Sequence, residues 1–294
     1  MAPHIVQRLP ATGPVQNSSG HVLEELIAHG HGRLRIDPEI RHRIDRAIAA
    51  ARDFYARPLA EKRRFSAPAF VEGYRDIGLE YSLQPDRPDL TESFSLWNRN
   101  SHRTQMIGWL RDCALYLELR RTTDALTPLI AGLFQSITDR WQSNGPSLRF
   151  EKASYIQLNH YEPARHRREM LQDGHEDGHL VTLLTATGPG LEIETKAGYV
   201  PVELADDELL VMPGSLLALM TGNAISPLYH RVHNSFRAEP RYSLMHFVNP
   251  DSDQKLEPWI RNESNAGIDI IERANALPQK FGLPTLSDGT NGLG

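Results

Sequence analysis

The amino-acid sequence predicts a mainly β protein with α-helices, in which N-terminal helices brace an antiparallel sandwich or barrel. Apolar residues recur at helical spacing through the first part of the chain, whereas short β-rich runs separated by glycine and proline turns begin at about residue 148. No internal repeat or low-complexity linker interrupts the sequence. We therefore expect a single domain, with a helical N-terminal region over about 1–147, a β core over about 148–250, and a C-terminal helix and frayed tail over 251–294.

The first long helix is predicted to begin at Asp37 and Pro38, because an acidic cap followed by proline at the first helical position favours initiation. Apolar residues then repeat at helical spacing as far as Tyr55, and Pro58 closes the element.

A second helical region is predicted over about 110–141, with a break at Pro128 because proline removes a helical hydrogen bond. Between the two helices, the polar segment 83–89 is expected to form an exposed loop. A further helix is predicted near 268–277, before a small, polar tail over 287–294.

Seven short strands are predicted in the second half of the chain. Turns such as those at 188–190 and 213–214 separate the β-rich runs, as is typical of a sandwich or barrel. The predicted strands are 153–161, 180–185, 191–195, 208–212, 216–221, 228–235 and 242–248.

Composition narrows the classes of partner. The 32 basic residues are outnumbered by 37 acidic ones and form no long block, so we expect no binding to nucleic acid. A single cysteine, Cys113, excludes an intrachain disulfide and is typical of a reducing compartment. The sequence lacks a signal peptide and any run approaching the roughly 18 apolar residues of a membrane helix. We therefore expect a cytoplasmic protein that does not bind membranes, either a monomer or a homodimer.

Two short segments predict a metal site: His-Glu-Asp at 175–177 and His-Arg-Val at 230–232. On a strand, the spacing of His175 and Asp177 would place both side chains on one face. His230 on another predicted strand would complete a set of two imidazoles and one carboxylate. Three such ligands on one side of an octahedral Fe(II) leave positions for a co-substrate and dioxygen. Zinc or manganese would suit these ligands almost as well.

A second pattern of polar residues points to an acid-binding site. Arg241 and Ser243 are two residues apart on a predicted strand, and a guanidinium beside a hydroxyl suits a carboxylate. Asn159 and Tyr161 form a similar same-face pair on an earlier strand. Taken singly, Arg241 could form a surface ion pair and Tyr161 could be a core aromatic. Their order on one predicted sheet favours a common site.

These motifs, in this order, resemble the isopenicillin N synthase-like branch of the iron(II)/2-oxoglutarate-dependent dioxygenase superfamily. The resemblance covers roughly residues 24–250 and implies a double-stranded β-helix core, that is, a cupin-like jelly-roll. Further matching segments are Phe54-Tyr55, Gly73-Tyr74, Gly190-Leu191-Glu192-Ile193, Met212-Pro213-Gly214 and Thr221-Gly222-Asn223.

The resemblance implies a set of site residues and cofactors. By carry-over, Fe(II) is held by His175, Asp177 and His230, and O2 is a co-substrate. The 2-oxoglutarate residues carried over are Arg241, Ser243, Tyr161 and Asn159. Residues proposed by position to line the substrate pocket are His179, Tyr81, Phe94 and Phe247.

The activity that the resemblance implies is oxidation of a small-molecule metabolite, with decarboxylation of 2-oxoglutarate to succinate. Hydroxylation is the expected outcome, with desaturation or cyclisation as alternatives, and secondary metabolism is the expected setting. One alternative is an iron oxidase of the same family that uses no 2-oxoglutarate. Another is a non-catalytic jelly-roll that binds a small acid or holds a structural zinc. Release of succinate would exclude both alternatives.

Overall fold

The computed structural model describes residues 19–67, 72–98, 108–141, 147–162, 168–235 and 238–276. The predicted frayed tail at 287–294 lies outside these residues. Within them the helices are α1 (Ser19–His29), α2 (Pro38–Tyr55), α3 (Leu59–Arg63), α4 (Ala114–Trp141), α5 (Ser215–Met220) and α6 (Ile270–Ala276), and a 3-10 helix spans Gly108–Asp112. The strands are β1 (Gly32–Arg35), β2 (Ser66–Ala67), β3 (Glu72–Arg75), β4 (Glu92–Trp97), β5 (Tyr155–Tyr161), β6 (Met170–Glu176), β7 (Val181–Ala186), β8 (Leu191–Thr195), β9 (Gly198–Pro201), β10 (Glu208–Pro213), β11 (Tyr229–His233) and β12 (Arg241–Val248).

The strands form two antiparallel sheets. In the described residues the larger sheet has the order β1-β10-β7-β12-β5-β4-β3-β2, and the smaller has the order β6-β11-β8-β9. Most neighbours in these sheets are distant in sequence, as in a jelly-roll. The predicted fold class, a mainly β core braced by helices, is confirmed.

Side-chain alternation divides the larger sheet into two faces. On β12, Leu244 and Val248 belong to the main hydrophobic core shared with the helices, on what we call the helix face. Met245 and Phe247 alternate with them and belong to a second apolar cluster that includes Ile193 of the smaller sheet. We call this second side the inner face, because it is covered by the smaller sheet.

The first predicted helix is confirmed as α2. The Asp37 side chain accepts a hydrogen bond from the backbone amide of Ile40 at 2.8 Å, which caps the helix, and Pro38 occupies the first turn. Ile44 and Phe54 on its apolar stripe are buried against the main core.

Two local predictions are wrong. Helix α4 continues through Pro128 without the expected break. Segment 216–221 is not a strand, because Ser215–Met220 forms helix α5 after the extended Gly214. The leucines, alanine and methionine of α5 have high helix propensity, and a short apolar run does not distinguish a buried helix from a buried strand.

Six of the strands in the described residues were not predicted from the sequence. Strands β1–β4 come from the region expected to be helical, and they extend the larger sheet at both of its edges. Strands β6 and β9 belong to the smaller sheet. Among the described helices, none has the length and apolar character needed to cross a membrane.

Candidate active site

His175, Asp177 and His230 converge between the two sheets. His175 on β6 lies directly opposite His230 on β11 in the strand register, and Asp177 follows the end of β6. The Oδ1 atom of Asp177 lies 3.8 Å from His175 Nε2 and 3.9 Å from His230 Nε2. All three side chains are buried, and their potential ligand atoms lie within 4.8 Å of one another. These separations are too long for hydrogen bonds, so the three atoms surround a common point without satisfying one another.

Neighbouring groups orient each of the three side chains. The Nδ1 atom of His175 is 2.8 Å from the carbonyl oxygen of Asp173, and that of His230 is 3.4 Å from the carbonyl oxygen of Leu228. Each Nδ1–H therefore donates to the backbone and leaves the Nε2 lone pair directed toward Asp177. Thr182 Oγ1 donates to Asp177 Oδ2 at 2.5 Å, which leaves Oδ1 for the central point.

The pKa shifts in this group favour cation binding. Burial raises the pKa of Asp177, but the imidazoles of His230 and His175 outweigh it and hold the carboxyl below its usual range. Burial lowers the pKa of His175. An ionised carboxylate and a neutral imidazole are the protonation states that a metal ligand requires.

The backbone that carries Asp177 is fixed by the start of helix α5. The amide of Ser215 donates to the carbonyl oxygen of Asp177 at 2.9 Å, and the amide of Leu216 donates to that of His179 at 3.2 Å. Gly214 permits this close approach, because a Cβ there would overlap the carbonyl oxygen of His179 and lie 2.7 Å from that of Asp177. Helix α5, where the sequence predicted a strand, thus positions a predicted metal ligand.

Arg241 lies in the same cavity with an unused donor. It projects from the inner face of β12, where Nη1 donates to Ser243 Oγ and Nε donates to the carbonyl oxygen of Gly188 at 3.3 Å. Its guanidinium carbon lies 5.1 Å from the centre of the Tyr161 ring. Nη2 is buried and has no hydrogen-bond partner among the described residues. A buried, unpaired guanidinium N–H is costly, and an anion in the cavity would satisfy it.

Asn159 and Tyr161 also reach this cavity. In the register of β5 and β12, Tyr161 lies opposite Arg241 and Asn159 lies opposite Ser243. Asn159 Nδ2 donates to the Tyr161 hydroxyl at 3.3 Å, and that hydroxyl donates to Gln172 Oε1 at 3.1 Å. The four residues predicted to bind an acid are therefore neighbours on the inner face, and they line the same cavity as the metal-ligand candidates, whose two histidines belong to the smaller sheet.

His179 is held firmly at the cavity wall. Its Nδ1 lies 2.9 Å from Asn249 Oδ1, and its Nε2 lies 3.2 Å from the Tyr155 hydroxyl. Asn249 Nδ2 donates to the carbonyl oxygen of Ala153 at 3.2 Å, so Asn249 Oδ1 is free to accept from His179. In this assignment Nδ1 carries the proton and Nε2 accepts from Tyr155. Burial lowers the pKa of His179.

Of the residues predicted to line the substrate pocket, His179, Tyr81 and Phe247 line the cavity that contains the candidate metal ligands, whereas Phe94 does not. Phe94 is fully buried on the helix face, with its ring centre 5.0 Å from that of Phe54. The prediction for Phe94 is therefore wrong. Alternation along β4 turns Ser93 toward the cavity and its neighbour Phe94 away from it.

Further polar residues of the cavity, among them Gln157, Gln172 and Asp89, were not predicted. Gln157 continues the same-face pattern of Asn159 and Tyr161 and donates to Asn159 Oδ1 at 2.8 Å, so strand periodicity could have identified it. Asp89 belongs to the connection before β4. Asp89 ends the segment expected to be an exposed loop, and no sequence signal distinguishes it from its exposed neighbours.

Residues 153–250 match the family model described as the 2OG-Fe(II) oxygenase superfamily. The chain is similar to isopenicillin N synthase of Penicillium rubens, at 32% identity over 123 residues that cover 39% of this chain and 36% of that relative. It is also similar to mugineic-acid 3-dioxygenase of Hordeum vulgare, at 32% identity over 105 residues that cover 35% of this chain and 31% of that relative. The matched part of the chain thus spans about a third of the length of these curated relatives.

Solved structures of other proteins have the same fold as this chain. A 2OG-Fe(II) oxygenase family protein of Caulobacter crescentus has a TM-score of 0.71 and 21% identity, with 87% of this chain and 91% of that chain covered. A full-length Neurospora crassa protein in complex with alpha-KG has a TM-score of 0.69 and 19% identity, with 87% of each chain covered. The segment that matches the family model contains both candidate histidines, Asp177 and Arg241. The resemblance inferred from the motifs is therefore confirmed: residues 153–250 of this chain form a 2OG-Fe(II) oxygenase domain.

Proposed function

We propose that this protein is a non-haem iron(II)/2-oxoglutarate-dependent dioxygenase that oxidises a small-molecule metabolite and converts 2-oxoglutarate to succinate. The observation that carries the proposal is the unpaired Nη2 of Arg241, buried in the same cavity as the His-Asp-His group. A cation-binding group and an anion-binding group in one cavity suit a metal with an acidic co-substrate.

The donor set fits Fe(II). His175, Asp177 and His230 would hold the metal through two imidazole nitrogens and one carboxylate oxygen. With 2-oxoglutarate and O2, the bound iron supplies the oxidising power needed to attack an unreactive carbon–hydrogen bond. The hydrogen bonds of Asp173, Leu228 and Thr182 keep the ligand atoms aimed at the metal position.

The second group of residues would hold the co-substrate. Arg241 would grip the distal carboxylate of 2-oxoglutarate through Nη2, with Ser243 beside it. Tyr161 and Asn159 would keep the guanidinium and the acid in one orientation. Because these side chains are buried, the site would exclude water and strengthen each charged contact.

The broader setting is also part of the proposal. We expect hydroxylation as the reaction, with desaturation or cyclisation as alternatives, in secondary metabolism. The buried, free Cys113 is consistent with a reducing cytoplasmic compartment. A monomer or homodimer acting on a small molecule, without nucleic acid or membrane, remains the prediction.

Binding and turnover together test the function. Calorimetry should show that the purified protein binds 2-oxoglutarate only when a metal is present. The metal is either Mn(II) as a substitute for Fe(II), or Fe(II) itself in the absence of oxygen. With Fe(II) and oxygen it should release succinate. Oxygen consumption without succinate would indicate an oxidase that uses no 2-oxoglutarate. Binding of the acid without any turnover of a broad metabolite panel would indicate a non-catalytic binding protein.

A further inference from the structure

Asp89 is a buried carboxyl group without an adequate partner in the candidate active site. Its side chain lines the same cavity as the metal-ligand candidates, and the residue is only 3% exposed. Ser82 Oγ donates to Oδ2 at 2.7 Å, while Oδ1 is buried without a hydrogen-bond partner in the described parts of the chain. Burial raises the pKa of Asp89 to about 6, so the group still ionises near neutral pH.

Glu80, another acid of this cavity, differs from Asp89 because both of its carboxylate oxygens have partners. Arg75 Nη2 lies 2.6 Å from Glu80 Oε1, and Ser93 Oγ donates to the same oxygen. Gln157 Nε2 donates to Glu80 Oε2 at 3.1 Å. Glu80 is thus neutralised and satisfied within the protein. Asp89 is bonded only by Ser82, lies near the His175 imidazole, and forms no salt bridge with a lysine or arginine of the described residues.

Two arginines near Asp89, one two residues earlier in the chain and one hydrogen-bonded to the preceding residue, are paired with another acid. Arg87 Nε lies 2.6 Å from Asp173 Oδ2, and Arg168 Nη2 donates to the same oxygen at 2.8 Å. Arg168 Nη1 donates to the carbonyl oxygen of Pro88 at 2.6 Å. These contacts fasten the segment before Asp89 to strand β6 without providing Asp89 with a cation.

The backbone around Asp89 is also fixed. Its amide donates to the carbonyl oxygen of Glu80 at 2.9 Å, and the amide of Leu90 donates to that of Leu171 at 2.8 Å. A buried acceptor on a fixed backbone is prepared for a ligand, because little conformational entropy is lost on binding.

We propose that Asp89 anchors the organic substrate, and that this substrate carries a basic nitrogen whose N–H donates to Asp89 Oδ1. The inference rests on the proposed function, in which 2-oxoglutarate satisfies Arg241 at the other group of the cavity. The co-substrate is an anion and cannot satisfy Asp89. A protonated amine supplies both a hydrogen bond and the opposite charge that a buried carboxylate requires. The substrate class is therefore a small metabolite with an amine.

A binding panel tests this assignment. Protein loaded with Mn(II) and 2-oxoglutarate is screened by ligand-observed NMR against small amines, amino alcohols and amino acids. Each compound is paired with the analogue in which a hydroxyl replaces the amine. We expect binding by amines, at least tenfold weaker binding by their hydroxyl analogues, and at least tenfold loss in Asp89→Asn. The matched control Asp86→Asn, at an exposed acid of the same segment, should bind like wild type.

The results separate this inference from the proposed function. If metal-dependent binding of 2-oxoglutarate is present but no amine binds, or amines bind Asp89→Asn as well as wild type, the assignment of Asp89 is wrong and the proposed function stands. If 2-oxoglutarate does not bind in a metal-dependent way, the proposed function itself is wrong.

A second measurement needs no ligand. An unpaired buried carboxylate destabilises the free protein, so Asp89→Asn should have the same Tm as wild type or a higher one at pH 8. A Tm several degrees below those of wild type and Asp86→Asn would identify Asp89 as a structural partner of Ser82, which would overturn the proposal.

Discussion

Two groups of buried charges lie on opposite faces of the larger sheet, and they differ in how fully they are satisfied. On the helix face, Glu92 Oε2 accepts from Lys62 Nζ at 2.5 Å and from the Tyr74 hydroxyl at 2.6 Å, while Oε1 lies 2.8 Å from His160 Nδ1. We call these four residues the Glu92 cluster. On the inner face, Arg241 and Asp89 each retain a buried atom without a partner among the residues described.

The difference between the faces indicates different roles. A buried charge whose hydrogen bonds are all made within the chain maintains the fold. Removing either partner leaves the other charge buried in the low-dielectric interior without a counter-ion. A buried charge with an unused atom costs stability in the free protein and is expected where a ligand supplies the missing partner. Strands β4 and β5 carry side chains on both faces of the larger sheet, so adjacent residues such as Glu92 and Ser93 lie on opposite faces.

The largest effect is expected at the proposed metal site. Asp177→Ala removes the carboxylate ligand and should lower succinate production by at least about 1,000-fold, since loss of a metal ligand removes the reacting centre. Metal content after dialysis against Fe(II) or Mn(II) should fall in parallel. Asp206→Ala, at an exposed carboxylate, provides a control. Full activity in Asp177→Ala would contradict the assignment of the ligands.

Substitutions in the Glu92 cluster should lower the stability of the protein and leave ligand binding unchanged. Glu92→Ala leaves Lys62 buried without its counter-ion and should lower the free energy of unfolding by about 3–5 kcal/mol. Chemical denaturation measures this loss. The double variant Lys62→Met with Glu92→Gln should recover much of it, because no unpaired charge then remains. An unchanged midpoint in Glu92→Ala would remove the distinction between the two faces.

Truncation of Arg241 should mainly weaken binding of the co-substrate. Arg241→Ala should weaken 2-oxoglutarate binding about 100-fold, equivalent to roughly 3 kcal/mol, the usual loss for a buried charged hydrogen bond. Calorimetry with Mn(II) present measures this change. The melting temperature should fall less than in Glu92→Ala, because the variant removes a buried donor without a partner together with the bonds to Ser243 and Gly188. Unaltered affinity for 2-oxoglutarate would assign Arg241 to another ligand.

The smallest effect is a difference in pH dependence between the faces. Burial raises the pKa of Glu92, but its bonds to His160, Lys62 and Tyr74 outweigh it, so the pKa lies below its usual value. Its stabilisation is present above the unfolded value of about 4.5 and is lost as pH falls through the lowered value. Ionised Asp89 instead destabilises the folded protein. This destabilisation is complete above about pH 6 and disappears as the pH falls toward 3.8.

Metal-free protein should therefore show two separate changes in stability. Between pH 7 and pH 5, any stability advantage of Asp89→Asn over wild type should shrink. Below pH 4.5, Glu92→Gln should lose less stability than wild type. Denaturant midpoints of the three proteins at each pH measure both changes, and parallel pH profiles would contradict the assigned pKa directions.

The metal-ligand and acid-binding candidates could be predicted because strand periodicity is local. Arg241 with Ser243, and Asn159 with Tyr161, share faces whatever the rest of the fold does. His175 and Asp177 followed the same rule closely, although β6 ends between them at Glu176.

Features that depend on distant contacts could not be predicted. The face occupied by Phe94 follows from the pairing of β4 with β5, which a short alternating segment does not specify. Asp89 lies in a segment that Arg87 and Arg168 attach to Asp173 of a later strand, so its burial depends on contacts between distant parts of the chain. Strand β1 forms by pairing with β10, far along the chain, so its four residues carry little signal of their own.

The backbone bonds between helix α5 and the segment of Asp177 have a consequence for evolutionary change. Because peptide groups make these bonds, replacement of Ser215 or Leu216 by any residue other than proline leaves the donors in place. Gly214 is the exception, since any Cβ there collides with the carbonyl of His179. Substrate preference can therefore diverge through side chains such as Asp89 and His179 while the ligand geometry is inherited unchanged, provided that this one glycine is retained.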